Sequence, residues 1–166
     1  MAMLTEAMLK QIENNELYNI ICISALDPSV TQARINIAFY RNTKIYKVKI
    51  DGMSEQNTTF FFQGPSLNPK RQSQIETIEF VNTPGSTLSS LEYFPPATNT
   101  LKFKCDSKTT LDGDQNIKIN IRQPNSISHL CLNGIDEQLA NSIAKCPNLP
   151  LLKYIKLKNL YYGTNR

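Results

Sequence analysis

The sequence predicts an α/β repeat fold: a short, irregular solenoid on one parallel sheet, with a helix capping its N-terminal end. Three observations predict it. A small pattern, apolar-x-x-apolar-x-apolar, recurs along the chain. Its clearest copies are Ile127-Ser128-His129-Leu130-Cys131-Leu132, followed by Ile135, and Leu152-Lys153-Tyr154-Ile155-Lys156-Leu157, followed by Leu160. Their central residues, Leu130 and Ile155, stand 25 positions apart, room for one strand and a returning segment. At 166 residues the chain is a single domain with enough length for a hydrophobic core. The alternative is a compact α+β or mainly β domain in which only residues 127–160 imitate a repeat.

Residues 1–16 are the cap. Leu4, Met8 and Ile12 fall at i, i+4 and i+8 over 3–15, one face of an amphipathic helix. Asn14-Asn15 ends it. Such a helix would cover apolar surface that the first repeat exposes. Residues 17–166 then hold about six divergent repeats. The expected strands are Leu17–Cys22, Ile45–Ile50, Ile75–Phe80, Asn99–Phe103 and the two copies above. Their central residues are Ile20, Val48, Ile78, Leu101, Leu130 and Ile155, separated by 28, 30, 23, 29 and 25 positions. A β-sandwich would show regular spacing of about 8–12 residues instead.

The returns are uneven. Residues 28–41 read as a helix with Asp27 as N-cap and Pro28 at the first helical position. Residues 54–74 contain Gly64-Pro65 and Asn68-Pro69 and read as a long irregular loop. Residues 81–98 are broken by Pro84-Gly85 and Pro95-Pro96. In 106–126, the alternation Ile117–Ile121 predicts a strand that could pair back with Leu101–Cys105. Residues 136–145 form the best helix, with Asp136 as cap and Leu139, Ala140 and Ile143 on one face.

Ile127-x-x-Leu130-x-Leu132-x-x-Ile135 resembles the consensus of leucine-rich repeats. The following Leu139–Leu149 resembles the helical return of the ribonuclease-inhibitor-like class. The specific resemblance covers 127–160; the rest of the chain matches by period. The Asn or Cys that bonds backbone groups at the strand-to-loop turn is missing at Gly134, and the second repeat has Gly52 there. Buried turn amides and carbonyls then need other partners. The resemblance implies a curved binding scaffold. Short, Asn-, Ile- and Lys-rich examples look like effectors that bacteria inject into host cells, by analogy alone.

Alternation along the strands assigns a binding surface. Residues between the apolar positions point outward: Lys47 and Lys49, Thr77 and Glu79, Thr100 and Lys102, His129 and Cys131, then Tyr154, Lys156 and Lys158. The expected partner-binding set is Lys47, Lys49, Glu79, Lys102, His129, Tyr154, Lys156 and Lys158. A mainly basic concave face favours a protein partner with an acidic surface. Tyr154 is the natural anchor.

Enzymatic and cofactor chemistry find little support. His129 and Cys131 share a strand face, but roughly 6–7 Å apart and with no acid partner or oxyanion donor. Cys22, Cys105, Cys131 and Cys146 form no C-x-x-C pair, and a single His completes no common zinc set. They read as small buried thiols of a reducing compartment. Asp106, Asp112 and Asp114 lack the closing Glu of a calcium loop and suit a turn. Asn57-Thr58-Thr59 is a glycosylation sequon, relevant only on a secretory route. No phosphate-loop, nucleophile-elbow or metalloprotease motif occurs. The net charge of +4 comes from scattered lysines, which disfavours nucleic acid. No apolar run reaches the roughly 20 residues of a membrane helix, and Met1–Glu6 lacks the basic flank of a secretory signal. The expectation is a monomeric, non-enzymatic interaction protein without cofactor or metal, cytoplasmic or delivered into a host cytoplasm. An immunity-type inhibitor or accessory subunit of α+β fold is the alternative.

Overall fold

The computed structural model describes residues 2–66, 75–83, 98–104, 127–133 and 151–158. Among these residues the chain is α/β, with three helices and an open parallel sheet. The elements run β1 (Met3–Leu4), α1 (Glu6–Glu13), β2 (Asn19–Ile23), β3 (Ala25–Leu26), α2 (Gln32–Arg41), β4 (Ile45–Asp51) and α3 (Glu55–Ser66). Then follow β5 (Thr77–Val81), β6 (Thr100–Lys104), β7 (His129–Asn133) and β8 (Tyr154–Lys158). The large sheet has the order β2-β4-β5-β6-β7-β8, and every neighbouring pair is parallel. β1 and β3 form a separate two-stranded parallel sheet.

The apolar spacing becomes register. Val48, Ile78, Leu101, Leu130 and Ile155 are direct cross-strand partners in sequence. Ile50, Phe80, Phe103, Leu132 and Leu157 form the next such row. The described side chains of both rows lie on one face, because strand side chains alternate. Val48, Ile50, Ile78, Phe80, Leu101, Phe103 and Leu130 are buried in one core with Leu9 and Ile12 of α1, Ile35, Ala38 and Phe39 of α2, and Phe61 and Phe62 of α3. Packed rings continue from Phe39 through Phe61, Phe62 and Phe80 to Phe103, with centroids 5.1–6.3 Å apart. The offset and edge-on geometries suit the ring quadrupoles. α1 packs on α2 and α2 on α3. Arg34 ties the first pair together, bonding Glu6 and Glu13 at 2.7 Å each. Those carboxylates, Glu6 foremost, raise the guanidinium pKa further.

Several boundaries differ from the sequence expectation, each for a local reason. α1 begins at Glu6, where the Thr5 hydroxyl accepts the Met8 N–H. Met3 and Leu4 are extended because they pair with Ala25 and Leu26. α2 is capped by Thr31 and not by Asp27. The Asp27 carboxylate instead accepts the Ser29 N–H and hydroxyl, a local turn that competes with helix. The Ser29 bonds, backbone N–H first, lower the Asp27 pKa. The segment expected to be a loop over 54–74 contains α3. Ser54 starts it by accepting the Asn57 N–H, and burial of Phe61 and Phe62 holds it. The sequon lies inside this helix with Thr58 fully buried. The first strand is also displaced by one residue. A register shift between Asn19 and Ile20, with Asn19 at φ 66°, pairs Ile21 with Val48. Ile21 and Ile23 are therefore inside, and Ile20 is 50% exposed. Ile155, at the last strand, is 42% exposed although its row partners are buried. The expected strand over Ile117–Ile121, the helix over 136–145, and the broken stretch from Pro84 through Pro95-Pro96 lie outside the described residues.

The turns after β4 and β5 share one backbone conformation. Gly52 and Asn82 both adopt positive φ, 67° and 49°. Each continues the sheet outward, Gly52 N–H to Val81 O and Asn82 N–H to Lys104 O, both at 2.9 Å. Left-handed backbone selects Gly or Asn. Gly134 and Asn159 occupy the same phase of the sequence, outside the described residues. The position following Asn82 holds Thr83, fully buried, whose hydroxyl donates to Val81 O at 3.1 Å. Thr98 replaces the first apolar residue of its repeat and donates to Ile75 O at 2.8 Å. Before β4, buried Asn42 donates to Ile12 O and Leu17 O and accepts the Lys44 and Ile45 N–H groups.

Candidate partner-binding face

The residues that alternate with the buried rows lie on the sheet face opposite the helices. They too are aligned by register. One row is Ile20, Lys47, Thr77, Thr100, His129 and Tyr154; the next is Cys22, Lys49, Glu79, Lys102, Cys131 and Lys156. A third contains Asp51, Val81, Lys104, Asn133 and Lys158. The tertiary structure thus gathers Lys47, Lys49, Glu79, Lys102, His129, Tyr154 and Lys156 of the expected binding set on one face, and the backbone of Lys158 pairs in register with Asn133.

These residues do not act alike. Lys47 Nζ lies 2.6 Å from Glu79 Oε2, with side chains 20% and 17% exposed. The partners sit diagonally across β4 and β5, within reach of long side chains. Two residues expected to meet a partner independently are therefore engaged with each other. Lys49, Lys102 and Lys156 make no ion pair among the described residues. His129 and Tyr154 are cross-strand neighbours with ring centroids 5.6 Å apart. The Ser128 hydroxyl is 2.8 Å from His129 Nδ1. Sequence reasoning missed Ser128; its hydroxyl next to a histidine was the available signal. Tyr154 is 49% exposed, so its ring is available to a partner.

His129 and Cys131 share this face, as alternation requires. His129 hydrogen-bonds Ser128 and packs on Tyr154, and no hydrogen bond joins it to Cys131 among the described residues. Cys22 and Cys131 are free thiols, half-buried on the outer face rather than in the core. Cys105 and Cys146 lie outside the described residues. No group of three or more His, Cys, Asp or Glu could hold a metal among the described residues. No helix among them is long and apolar enough to cross a membrane.

No family model, curated protein or solved structure matches the chain.

Proposed function

We propose that this chain is a divergent leucine-rich-repeat solenoid that serves as a binding scaffold, not an enzyme. Its partner is a protein with an acidic surface, held on the outer face of the sheet. The observation that carries this reading is the unbroken stack of five cross-strand positions, Lys49-Glu79-Lys102-Cys131-Lys156, on strands that follow one another in chain order. Strands in chain order, helices stacked in the same order and a common turn geometry are what a solenoid requires. One face of each strand is used by the core. The other carries polar residues at regular spacing, which suits recognition of an extended surface. The analogy to bacterial effectors extends the reading to action inside a host cell.

The experiment is capture of a partner from host-cell lysate, compared with a variant carrying Lys102→Glu, Lys156→Glu and Lys158→Glu. The reading expects a protein retained by the parent chain, released by added salt, and lost from the variant. Equal capture by both chains would refute the basic-face scaffold.

A further inference from the structure

The outer face is not uniformly basic, and the unevenness has a direction. Strands β4 and β5 present Lys47, Lys49 and Asp51, then Thr77, Glu79 and Val81. Two lysines are balanced there by two carboxylates, and Lys47 is closed onto Glu79. The corresponding register positions of β6, β7 and β8 are Thr100, Lys102 and Lys104, then His129, Cys131 and Asn133, then Tyr154, Lys156 and Lys158. No acidic residue stands at any of these positions. Among the described outer positions, the excess positive charge is concentrated over three adjacent strands.

Within that half, Lys102 and Lys156 are cross-strand neighbours of Cys131 on either side. Their backbones stand two strand spacings apart, about 10 Å. Neither makes an ion pair among the described residues. Cys131 between them is a small, half-buried side chain. The adjoining row supplies Tyr154, half-exposed and packed against His129 at 5.6 Å. Lysine on an outermost strand is explained by protection against edge-to-edge pairing. That explanation covers Lys156 on β8 but not Lys102, whose strand has partners on both sides. Lys102 stands inside the sheet with no ion pair among the described residues, one strand from His129.

Resting on the scaffold reading above, we infer that recognition is confined to β6–β8 and that its ligand is an acidic segment of the partner protein. An Asp or Glu of that segment sits over Cys131 between Lys102 and Lys156. An aromatic or apolar side chain nearby packs on Tyr154 and His129. Charge selects the segment, and the aromatic contact supplies the anchor. All the lysines here are point charges without the planar fork of arginine, so carboxylates are accepted singly rather than through paired hydrogen bonds.

The test uses a labelled peptide of alternating Glu and Tyr, its Gln-for-Glu counterpart, and an oligothymidylate of similar length. Binding is followed by fluorescence anisotropy and by amide chemical shifts of the full chain. The Glu peptide should bind best and shift amides around Lys102, Cys131, Tyr154 and Lys156. The double variant Lys102→Ala, Lys156→Ala should weaken binding roughly tenfold or more, and Tyr154→Ala by a similar factor. Lys47→Ala should change it by less than about twofold. These side chains face outward, so circular dichroism should show every variant folded. Equal losses from Lys47→Ala and the double variant, shifts centred on β4–β5, or no peptide binding would overturn the inference. Stronger binding to oligothymidylate would overturn it in favour of nucleic acid. If the peptide fails while capture from lysate still depends on Lys102, Lys156 and Lys158, the acidic-segment inference falls and the scaffold reading stands. If both fail, neither stands.

Discussion

Strands β4–β5 and strands β6–β8 share one internal pattern. Phe80 and Phe103 are register partners in the same buried row, and Ile78 and Leu101 are partners in the row beside it. Within the first group, Gly52 after β4 and Asn82 after β5 leave their strands by the same left-handed turn. Their outer faces differ: one is closed by Lys47 and Glu79, the other carries lysines and an aromatic pair. The difference teaches where the constraint lies. Inner residues must match their neighbours in size and polarity because the core is close-packed. Outer residues answer only to solvent and to a partner, so the same scaffold can present different surfaces along its length.

The largest effects test the shared interior. Phe80→Ala and Phe103→Ala should each cost about 3–5 kcal/mol in denaturant unfolding, the usual range for a deleted core ring. A loss below about 1 kcal/mol for Phe103→Ala alone would show that the two halves do not share one core. Next comes Asn42→Ala, which removes four hydrogen bonds at the junction of α1, α2 and β4. Buried groups left without partners should cost about 2 kcal/mol or more. A value near zero would mean that the N-terminal half does not depend on this buried junction. The common turn is tested by Gly52→Ala, which forces a Cβ into φ 67°. No atom crowds that position, so the loss of about 1–2 kcal/mol reports backbone strain alone. Asn82→Gly should be close to neutral, and a large loss there would separate the two turns. The smallest effect sharpens the outer contrast. Lys47→Ala should cost about 1 kcal/mol, because it leaves the largely buried Glu79 carboxylate without its partner. Lys102→Ala should cost less than Lys47→Ala, and a reversed order would place the ion pair that matters on the wrong half.

Much of the sheet was legible because the period-2 alternation and the repeat length act together. From Val48 to Ile155 the expected central residues pair in register without an error. The first strand failed by one residue because a register shift at Asn19 leaves no mark in an apolar run such as Ile20-Ile21-Cys22. α3 was misread because Gly64-Pro65 and Asn68-Pro69 outweighed the Phe60-Phe61-Phe62 run, whose burial decides the segment. The fourth repeat departs from the apolar pattern at Thr98, which fills its first apolar position. Its hydroxyl is satisfied by a carbonyl of the neighbouring repeat, a partner that exists only once the strands are stacked. At the turn after β4, Gly52 takes a left-handed conformation, and Gly134, where the turn asparagine is also missing, lies outside the described residues.

By itself the sequence determined which residues alternate, where strands recur and which side chains share a face. These follow from covalent geometry and hydrophobic periodicity, both local properties of the chain. Only the tertiary structure decided that Lys47 is closed onto Glu79, that Lys102 and Lys156 bracket Cys131, and that His129 packs on Tyr154. Those relations join residues between 25 and 54 positions apart. They depend on a strand spacing of about 5 Å and on exact register, which exist only after the core has brought separate strands side by side.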